Sequence, residues 1–404
     1  MDRTTTLIVG ASVAGIRAAT TLRSLDPDHR IILIDGEDEE PYDKPPLSKS
    51  ALTQAEDISF TFSDHHGAGI DYRRATHAVS AAVGESTVNS SDGSLIHYDS
   101  AILATGSAPR RLRLFDHMPR VHYLRTLADA RALRAALVPG RHVVVIGGGF
   151  IGCEVASSAR ERALEVTIIE AGPRLAARVL PEPVSRVLTA IHQQHGVAIR
   201  CDITVREAVY DPPRDNIRLT LDDGSVLVAD VVVVGIGTEP ATGWAAGSAL
   251  PIDDGFVCGP DLRVSGTSNV YAIGDVARWH NPRYDRTVRV EHWTNAREHA
   301  AIAAHNIVHP DTPRHAMAVP FVWSDQHSVH IQHVGDPNLA DVDIQTAQLS
   351  ESGRLFTYFR DGALIGATAF DSQASLAKIR RRLIGPAGST AAATIQPTDE
   401  RGRA

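Results

Sequence analysis

The stretch RHVVVIGGGFIGCEVASSARERALEVTIIEAG begins at Arg141 with a valine-rich strand, turns through Gly147, Gly149 and Gly152, and continues as an alanine-rich helix. A second strand follows, and Glu170 closes it. That order leaves little choice of fold. In a βαβ unit of this kind the first glycine permits a tight turn and the second lets backbone amides approach a pyrophosphate. The third lets the helix pack closely on the strand. The phosphates sit at the helix N-terminus, where unpaired N–H groups and the helix dipole favour negative charge. Phe150, Ile151 and Glu154 open that helix. Glu170 stands where a carboxylate accepts hydrogen bonds from the adenine ribose, and it would repel a 2′-phosphate. The unit is therefore expected to prefer NADH to NADPH, with Arg174 near enough in sequence to blur the preference.

The order occurs a second time. TTLIVGASVAGIRAATTLRSL carries Gly10, Ser12, Ala14 and Gly15 between a strand and a helix, and HRIILID supplies the next strand, ending at Asp35. Alone, this degenerate loop is a weak signal. The flanking strands and the acidic residues Asp35, Glu37 and Asp38 strengthen it. Two such loops imply either two dinucleotides exchanging electrons or a duplicated domain with one inactive site. Three further strands end on glycine: YDSAILATG at Ala104, Thr105 and Gly106, ADVVVVGIG at Gly235 and Gly237, and SNVYAIGD at Gly274 and Asp275. A carboxylate directly after a buried strand and a glycine lies at the C-terminal edge of a parallel sheet, where ligands bind. The alternative for Asp275 is a helix N-cap.

The loop PYDKPPLSK, Pro41 to Lys49, holds Lys44 and Lys49 among three prolines. Proline fixes the backbone and removes a donor, so this segment continues neither a helix nor a central strand and can hold a charge in place. The three cysteines, Cys153, Cys201 and Cys258, have neither the spacing of a redox pair nor that of a zinc site. They are read as small buried residues. With 404 residues, 43% hydrophobic and 22% charged, the chain has room for two or three globular domains. A net charge of -8 argues against general nucleic-acid binding. No apolar run is long enough to span a bilayer, and the start MDRTTTLIVG lacks the features of a signal peptide, so a cytoplasmic protein with no membrane partner is expected.

From about residue 5 to about 380 the chain resembles the FAD-dependent, NADH-oxidising ferredoxin reductases that serve bacterial haem monooxygenases and ring-hydroxylating dioxygenases and share the glutathione reductase fold. PYDKPPLSK, LRTLADA, YAIGD, RVEHWTNAREHA and PFVWSDQHSVHIQHVG carry the resemblance. It implies an α/β architecture of two Rossmann-like dinucleotide-binding domains, for FAD and NADH, with a C-terminal α/β interface domain. The FAD-binding domain would be split over 1–108 and 235–308, around an NADH-binding domain at 109–234. The C-terminal domain would span 309–385 with two alternating strands joined at Asp361-Gly362, and 386–404 would be a disordered tail. Residues 108–120 read as the first linker.

The resemblance also implies roles. Gly10, Ser12, Ala14 and Gly15 would hold the pyrophosphate of a non-covalent FAD, with Asp35 or Glu37 on its ribose and Ala78 meeting the adenine. Ala104, Thr105 and Gly106 would line the diphosphate, Arg125 neutralise FAD oxygens, and Asp275, after Gly274, bond the ribityl chain. Trp293 would close the pyrimidine end of the ring and Trp323 pack near it. For NADH the match gives Gly147, Gly149, Phe150, Ile151, Gly152, Glu154 and Glu170, with Gly237 and Glu291 at the nicotinamide end. Lys49, paired with Glu154, would be the fixed cation beside the flavin and, with Glu154, the catalytic pair. Lys44 departs from the family's usual arginine, Ala241 from asparagine, and His299 from glutamine or glycine.

Because the flavin-proximal loop has no cysteine, electrons are expected to leave singly, to a 2Fe–2S ferredoxin and indirectly an oxygenase. Rival readings are a rubredoxin reductase, an NADH oxidase, and a signalling flavoprotein resembling apoptosis-inducing factor. An acidic ferredoxin needs a local basic patch. The candidates are Arg110, Arg111 and Arg113, or Lys378, Arg380, Arg381 and Arg382, the second preferred.

Overall fold

The computed structural model describes residues 4–54, 61–62, 68–335 and 341–385. Two compact units divide the chain: Met1–Pro46, Asp57–Ala108 and Thr238–Ala318 form one, and Leu47–Glu56, Pro109–Gly237 and Val319–Ala404 the other.

The first unit is organised by a five-stranded sheet in the order Val270–Ala272, Ser100–Leu103, Thr5–Val9, Arg30–Ile34, Asp71–Arg73. All neighbours pair in parallel, with Val9 opposite Ile34 and Leu103. Strands buried on both faces read as continuous apolar runs, and TTLIV is buried throughout. Shared register aligns the strand ends, so Gly10, Asp35 and Ala104 all lie on the C-terminal edge. The helix Val13–Leu25 follows the first strand and buries Ala14, Ala18, Ala19 and Leu22. The helix Trp293–Val308 packs on it through small residues. At Gly274, φ +70°, a Cβ would stand 3.3 Å from that of Ala14 and 3.5 Å from that of Ala296. The positive φ favours glycine there, and the close neighbours leave little room for a side chain.

The second unit repeats the plan. Its sheet runs Val197–Arg200, Glu165–Ile169, His142–Ile146, Val231–Val234, Val121–His122, again parallel throughout. The helix Phe150–Glu161 crosses between the strands His142–Ile146 and Glu165–Ile169. The segment 108–120 does more than link: Phe115, 2% exposed, joins the hydrophobic cluster of this unit, with Leu112, Leu114 and Met118 packed against it.

The same unit holds a five-stranded antiparallel sheet, Phe321–Gln326, Val329–Gly335, Ala363–Phe370, Arg354–Arg360, Asp343–Gln348 in spatial order. The Asp-Gly turn forms with φ +51° at Asp361 and +74° at Gly362, as a type I′ hairpin requires. The flanking strands are not alternating as expected. Leu355 through Phe359 are all buried, because both faces are covered. Leu355 and Phe359 meet Leu376, Ile379 and Leu383 of the helix Gln373–Ile384. On the other face Phe356 contacts Phe370, and Tyr358 donates to Thr368. Residues 386–404, expected to be a disordered tail, lie outside the described residues.

Candidate active site

Both glycine loops make the same backbone bonds. Gly10 N–H donates to Ile34 O and Gly147 N–H to Ile169 O, each at 2.8 Å, with φ at +104° and +106°. A Cβ would come within 2.4 Å of Ala104 O at Gly10 and 2.3 Å of Gly235 O at Gly147. At Gly15 it would lie 1.8 Å from Gly10 O, and at Gly152 2.0 Å from Gly147 O. These glycines let strand, turn and helix nest. Gly149 is different, since a Cβ there meets nothing within 4 Å. Ser12 and Gly149 precede helices that lack a side-chain cap and have no acid in the first turn. Their first amides are left for an anion, so both loops fit a dinucleotide pyrophosphate.

A carboxylate follows the second strand in each unit. Glu170 Oε2 accepts from Gly148 N–H at 2.6 Å and Oε1 from Gly172 N–H at 2.7 Å, which fixes the charge beside the loop. Asp35 occupies the equivalent place and accepts from the amides of Ala11 and Gly36. Burial, then repulsion from Glu37, pushes its ionisation up to about 6, so hydroxyl donors there would relieve a poorly solvated charge. Glu37 is already engaged. Tyr42 OH donates to its Oε2 at 2.5 Å and Lys44 Nζ lies 2.8 Å from its Oε1. Arg174 is turned into its own loop, donating to Leu180 O at 3.1 Å.

Thr105 and Asp275 follow the strands Ser100–Leu103 and Val270–Ala272 at the same edge. Thr105 Oγ1 donates to Ala241 O and Ala241 N–H to Gly106 O, tying two loops together. Asp275 is not a helix cap. It lies within the short 3₁₀ turn Gly274–Val276, and its Oδ2 accepts from Ser107 Oγ at 2.9 Å. Trp293 Nε1 donates to Asp43 Oδ1 at 2.6 Å and Arg297 lies over its ring. Glu291, exposed, accepts from Thr238 Oγ1 at 2.6 Å and from Arg289. Ala78 is buried at the start of the small strand Ala78–Ala82. His299 is fully buried edge-on to Trp279, and burial pushes its ionisation down to about 3.

In the second unit, Lys49 Nζ lies 2.9 Å from Glu154 Oε1. The proline loop ends in a 3₁₀ turn, Pro45–Ser48, and a short helix, Ser50–Thr53. It is anchored on the Glu154 helix by Ser158 Oγ donating to Ser48 O and Arg162 donating to Leu52 O, each at 2.8 Å. Glu154 is 5% exposed. A buried carboxylate needs partners. Besides Lys49 it accepts from Ser48 Oγ and, at 2.5 Å, from Ser324 Oγ. Ser48 lies in PYDKPPLSK and Ser324 in PFVWSDQHSVHIQHVG, but each is more than a hundred residues from Glu154, so the sequence does not show that they meet it. On the same helix Ile151 is 43% exposed. Gly237 has φ +103° beside the guanidinium of Arg178. Arg125 N–H donates to Asp129 Oδ2 ahead of the helix Leu127–Ala136. Trp323, half-buried, stacks on Phe321, over which Arg380 lies.

Residues 4–300 match the pyridine nucleotide-disulphide oxidoreductase family. The chain belongs to that family. Residues 321–400 match the reductase C-terminal family. The ferredoxin–NAD(+) reductase component of the anthranilate 1,2-dioxygenase system of Burkholderia cepacia is 36% identical over 93% of this chain and 93% of its own length. A rubredoxin–NAD(+) reductase of Pseudomonas putida is 36% identical over 81% of this chain and 86% of its own. Among solved structures, the covalent putidaredoxin reductase–putidaredoxin complex matches with a TM-score of 0.88 and 30% identity, covering 94% of this chain and 93% of that one. The resemblance to the ferredoxin reductases, and the fold class it implied, are borne out.

The disulphide of the family name has no counterpart in this oxidoreductase. Cys153, Cys201 and Cys258 are unpaired, and burial pushes all three thiols up, Cys258 to about 12. None is a poised thiolate. No group of metal-ligating side chains occurs among the described residues, and none of their helices is long and apolar enough to cross a membrane.

Proposed function

We propose that this chain is an NADH-dependent ferredoxin reductase: a flavoprotein that oxidises NADH and delivers electrons singly to a 2Fe–2S ferredoxin serving an oxygenase. The observation that carries this is the Lys49–Glu154 pair, its carboxylate buried early in the helix that follows the strong glycine loop, in a chain without a reactive thiol. FAD, when bound, supplies the chemistry that links a two-electron donor to one-electron acceptors.

The chain's own residues bind, orient and neutralise. Gly10, Ser12, Ala14 and Gly15, with Ala104, Thr105 and Gly106, cradle the FAD pyrophosphate, and Asp35 rather than Glu37 takes the ribose. The pairing of Glu37 with Lys44 and Tyr42 supports that choice. Gly147, Gly149 and Gly152 hold the NADH pyrophosphate and Glu170 its ribose. Lys49 holds a positive charge where hydride arrives, and Glu154 fixes the ammonium in place. The FAD-binding part comprises 1–108 and 235–308, the NADH-binding part 109–234 and the C-terminal domain 309–385, in a cytoplasmic protein. A rubredoxin as acceptor is the second reading, favoured by a relative of equal identity. Stopped-flow reduction by NADH, followed by cytochrome c reduction with a 2Fe–2S ferredoxin, with a rubredoxin and with neither, separates the two. Stimulation by rubredoxin alone would overturn the first.

Glu170 sets the nucleotide. NADH should outperform NADPH in kcat/KM by tenfold or more, on the order of what charged ribose contacts supply. Glu170→Ala should narrow the gap. Equal efficiencies in the unsubstituted protein would remove Glu170 from this role.

For docking, Lys378 and Arg381 are exposed on the helix Gln373–Ile384, whereas Arg380 is committed to Phe321. Lys378→Glu with Arg381→Glu should raise KM for ferredoxin several-fold, of the order expected for removing steering charges, and leave KM for NADH alone. The ferredoxin rate should fall with salt, since steering is screened over about 10 Å at 0.1 M. A salt-independent rate would move the docking face elsewhere.

A further inference from the structure

Behind Glu154 runs a buried line of polar side chains that nothing in the reaction described above uses. Ser324 Oγ donates to Glu154 Oε1 at 2.5 Å, and Gln326 Nε2 donates to Ser324 Oγ at 2.8 Å. His192 Nε2 lies 2.8 Å from Gln326 Oε1, and His327 Nε2 lies 3.0 Å from His192 Nδ1. Ser324 and His192 are 0% exposed and Gln326 1%.

One charge orients the whole line. An ionised carboxylate only accepts, so the single hydroxyl hydrogen of Ser324 must point at Glu154. Ser324 Oγ is then left to accept, which turns the amide nitrogen of Gln326 toward it and the amide oxygen toward His192. That oxygen requires His192 to carry its proton on Nε2. In a neutral ring Nδ1 is then the acceptor, and His327 must donate from Nε2. Burial pushes the ionisation of His192 down to about 4 and that of His327 to about 3, in keeping with neutral rings at neutral pH. The far end is pinned: His327 N–H donates to Ser157 Oγ at 2.7 Å, on the same helix as Glu154, and the His195 ring stacks on His327 at 4.2 Å.

We propose that Ser324, backed by Gln326 and His192, is a positioning residue for Glu154. Every donor in the line points toward the carboxylate, and donors in series polarise one another. Ser48 grips Oε2 and Ser324 grips Oε1, so the carboxylate plane is fixed independently of Lys49. Lysine is a flexible point charge and cannot fix that plane itself. The hairpin of Phe321–Gln326 and Val329–Gly335 thereby sets the aim of the Lys49–Glu154 pair. This rests on the reading of that pair as serving hydride transfer.

The test uses the FAD-loaded full chain at neutral pH. Ser324→Ala should slow the limiting rate of reduction by NADH about tenfold, the worth of one hydrogen bond to a charged group. The dissociation constant of NADH should stay within about twofold, because the glycine loop and Glu170 are untouched. Ser324→Thr, which keeps the hydroxyl, should recover most of the rate. Reduction at the wild-type rate in Ser324→Ala, or equal slowing in both variants, overturns the proposal. Independently of any variant, ¹⁵N spectra of the histidine-labelled protein should show His192 neutral and protonated on Nε2, and a proton on Nδ1 overturns the proposal as well. If Lys49→Ala reduces at the wild-type rate, the parent reading fails. If Lys49→Ala is slow and Ser324→Ala is not, this inference fails alone.

Discussion

Lys49→Ala is expected to slow flavin reduction by NADH about a hundredfold, of the order lost when a preorganised electrostatic group is removed, while FAD still binds. FAD binding survives because the glycine cradle and Asp35 belong to other elements. The substitution also acts on the fold. It leaves Glu154, 5% exposed, with two hydroxyl donors and no cation. Breaking a buried pair from one side costs about 3–5 kcal/mol, and the lower end applies because the Lys49 side chain is 19% exposed. Melting should fall by roughly 6–12 °C if that cost is about 3 kcal/mol. Adding Glu154→Gln should restore most of the melting temperature without restoring the rate, because a neutral amide tolerates the missing cation but does not replace it. Stopped-flow absorbance and thermal melting of both variants check the two halves. If Lys49→Ala is reduced as fast as wild type, the proline loop is only scaffold.

The second large effect contrasts two glycines of one loop. Gly149→Ala should fold and load FAD like wild type, because φ there is -74° and a Cβ meets nothing within 4 Å. That open space faces the capless helix start, where phosphate oxygens would approach the amides. The methyl group should therefore weaken NADH binding about a hundredfold, roughly 2–3 kcal/mol, comparable to the loss of charged hydrogen bonds. Gly152→Ala should do the reverse. Its Cβ would stand 2.0 Å from Gly147 O, a backbone atom that cannot move without separating helix from strand. A loss of about 3 kcal/mol or more is expected, seen as poor accumulation or a sharply lowered melting temperature. Titration of NADH against the flavin spectrum, with melting curves for both variants, decides the matter. Unchanged NADH affinity in Gly149→Ala would mean that the loop holds no pyrophosphate.

The sequence alone determined what short-range geometry encodes. A glycine whose Cβ would strike a carbonyl five residues away, as at Gly15 and Gly152, is a local constraint, and so is the strand, turn and helix order around it. The parallel sheets follow from runs such as VVVI and TTLIV, buried on both faces because helices must cover them. The family was legible too, since its motifs are contiguous words. What only the tertiary structure decided lies between distant segments. The apolar pattern places a strand but does not count its neighbours, so it gives two strands of an antiparallel sheet that has five. Arg174 could not be seen to fold back on Leu180 O, nor Glu37 to be taken by Tyr42 and Lys44. Ser48 and Ser324 stand 106 and 170 residues from Glu154. A hydroxyl becomes a ligand for a buried charge only when packing brings the two within hydrogen-bond distance. No periodicity records that meeting, because its cause is the need of one buried carboxylate for donors from wherever the chain returns.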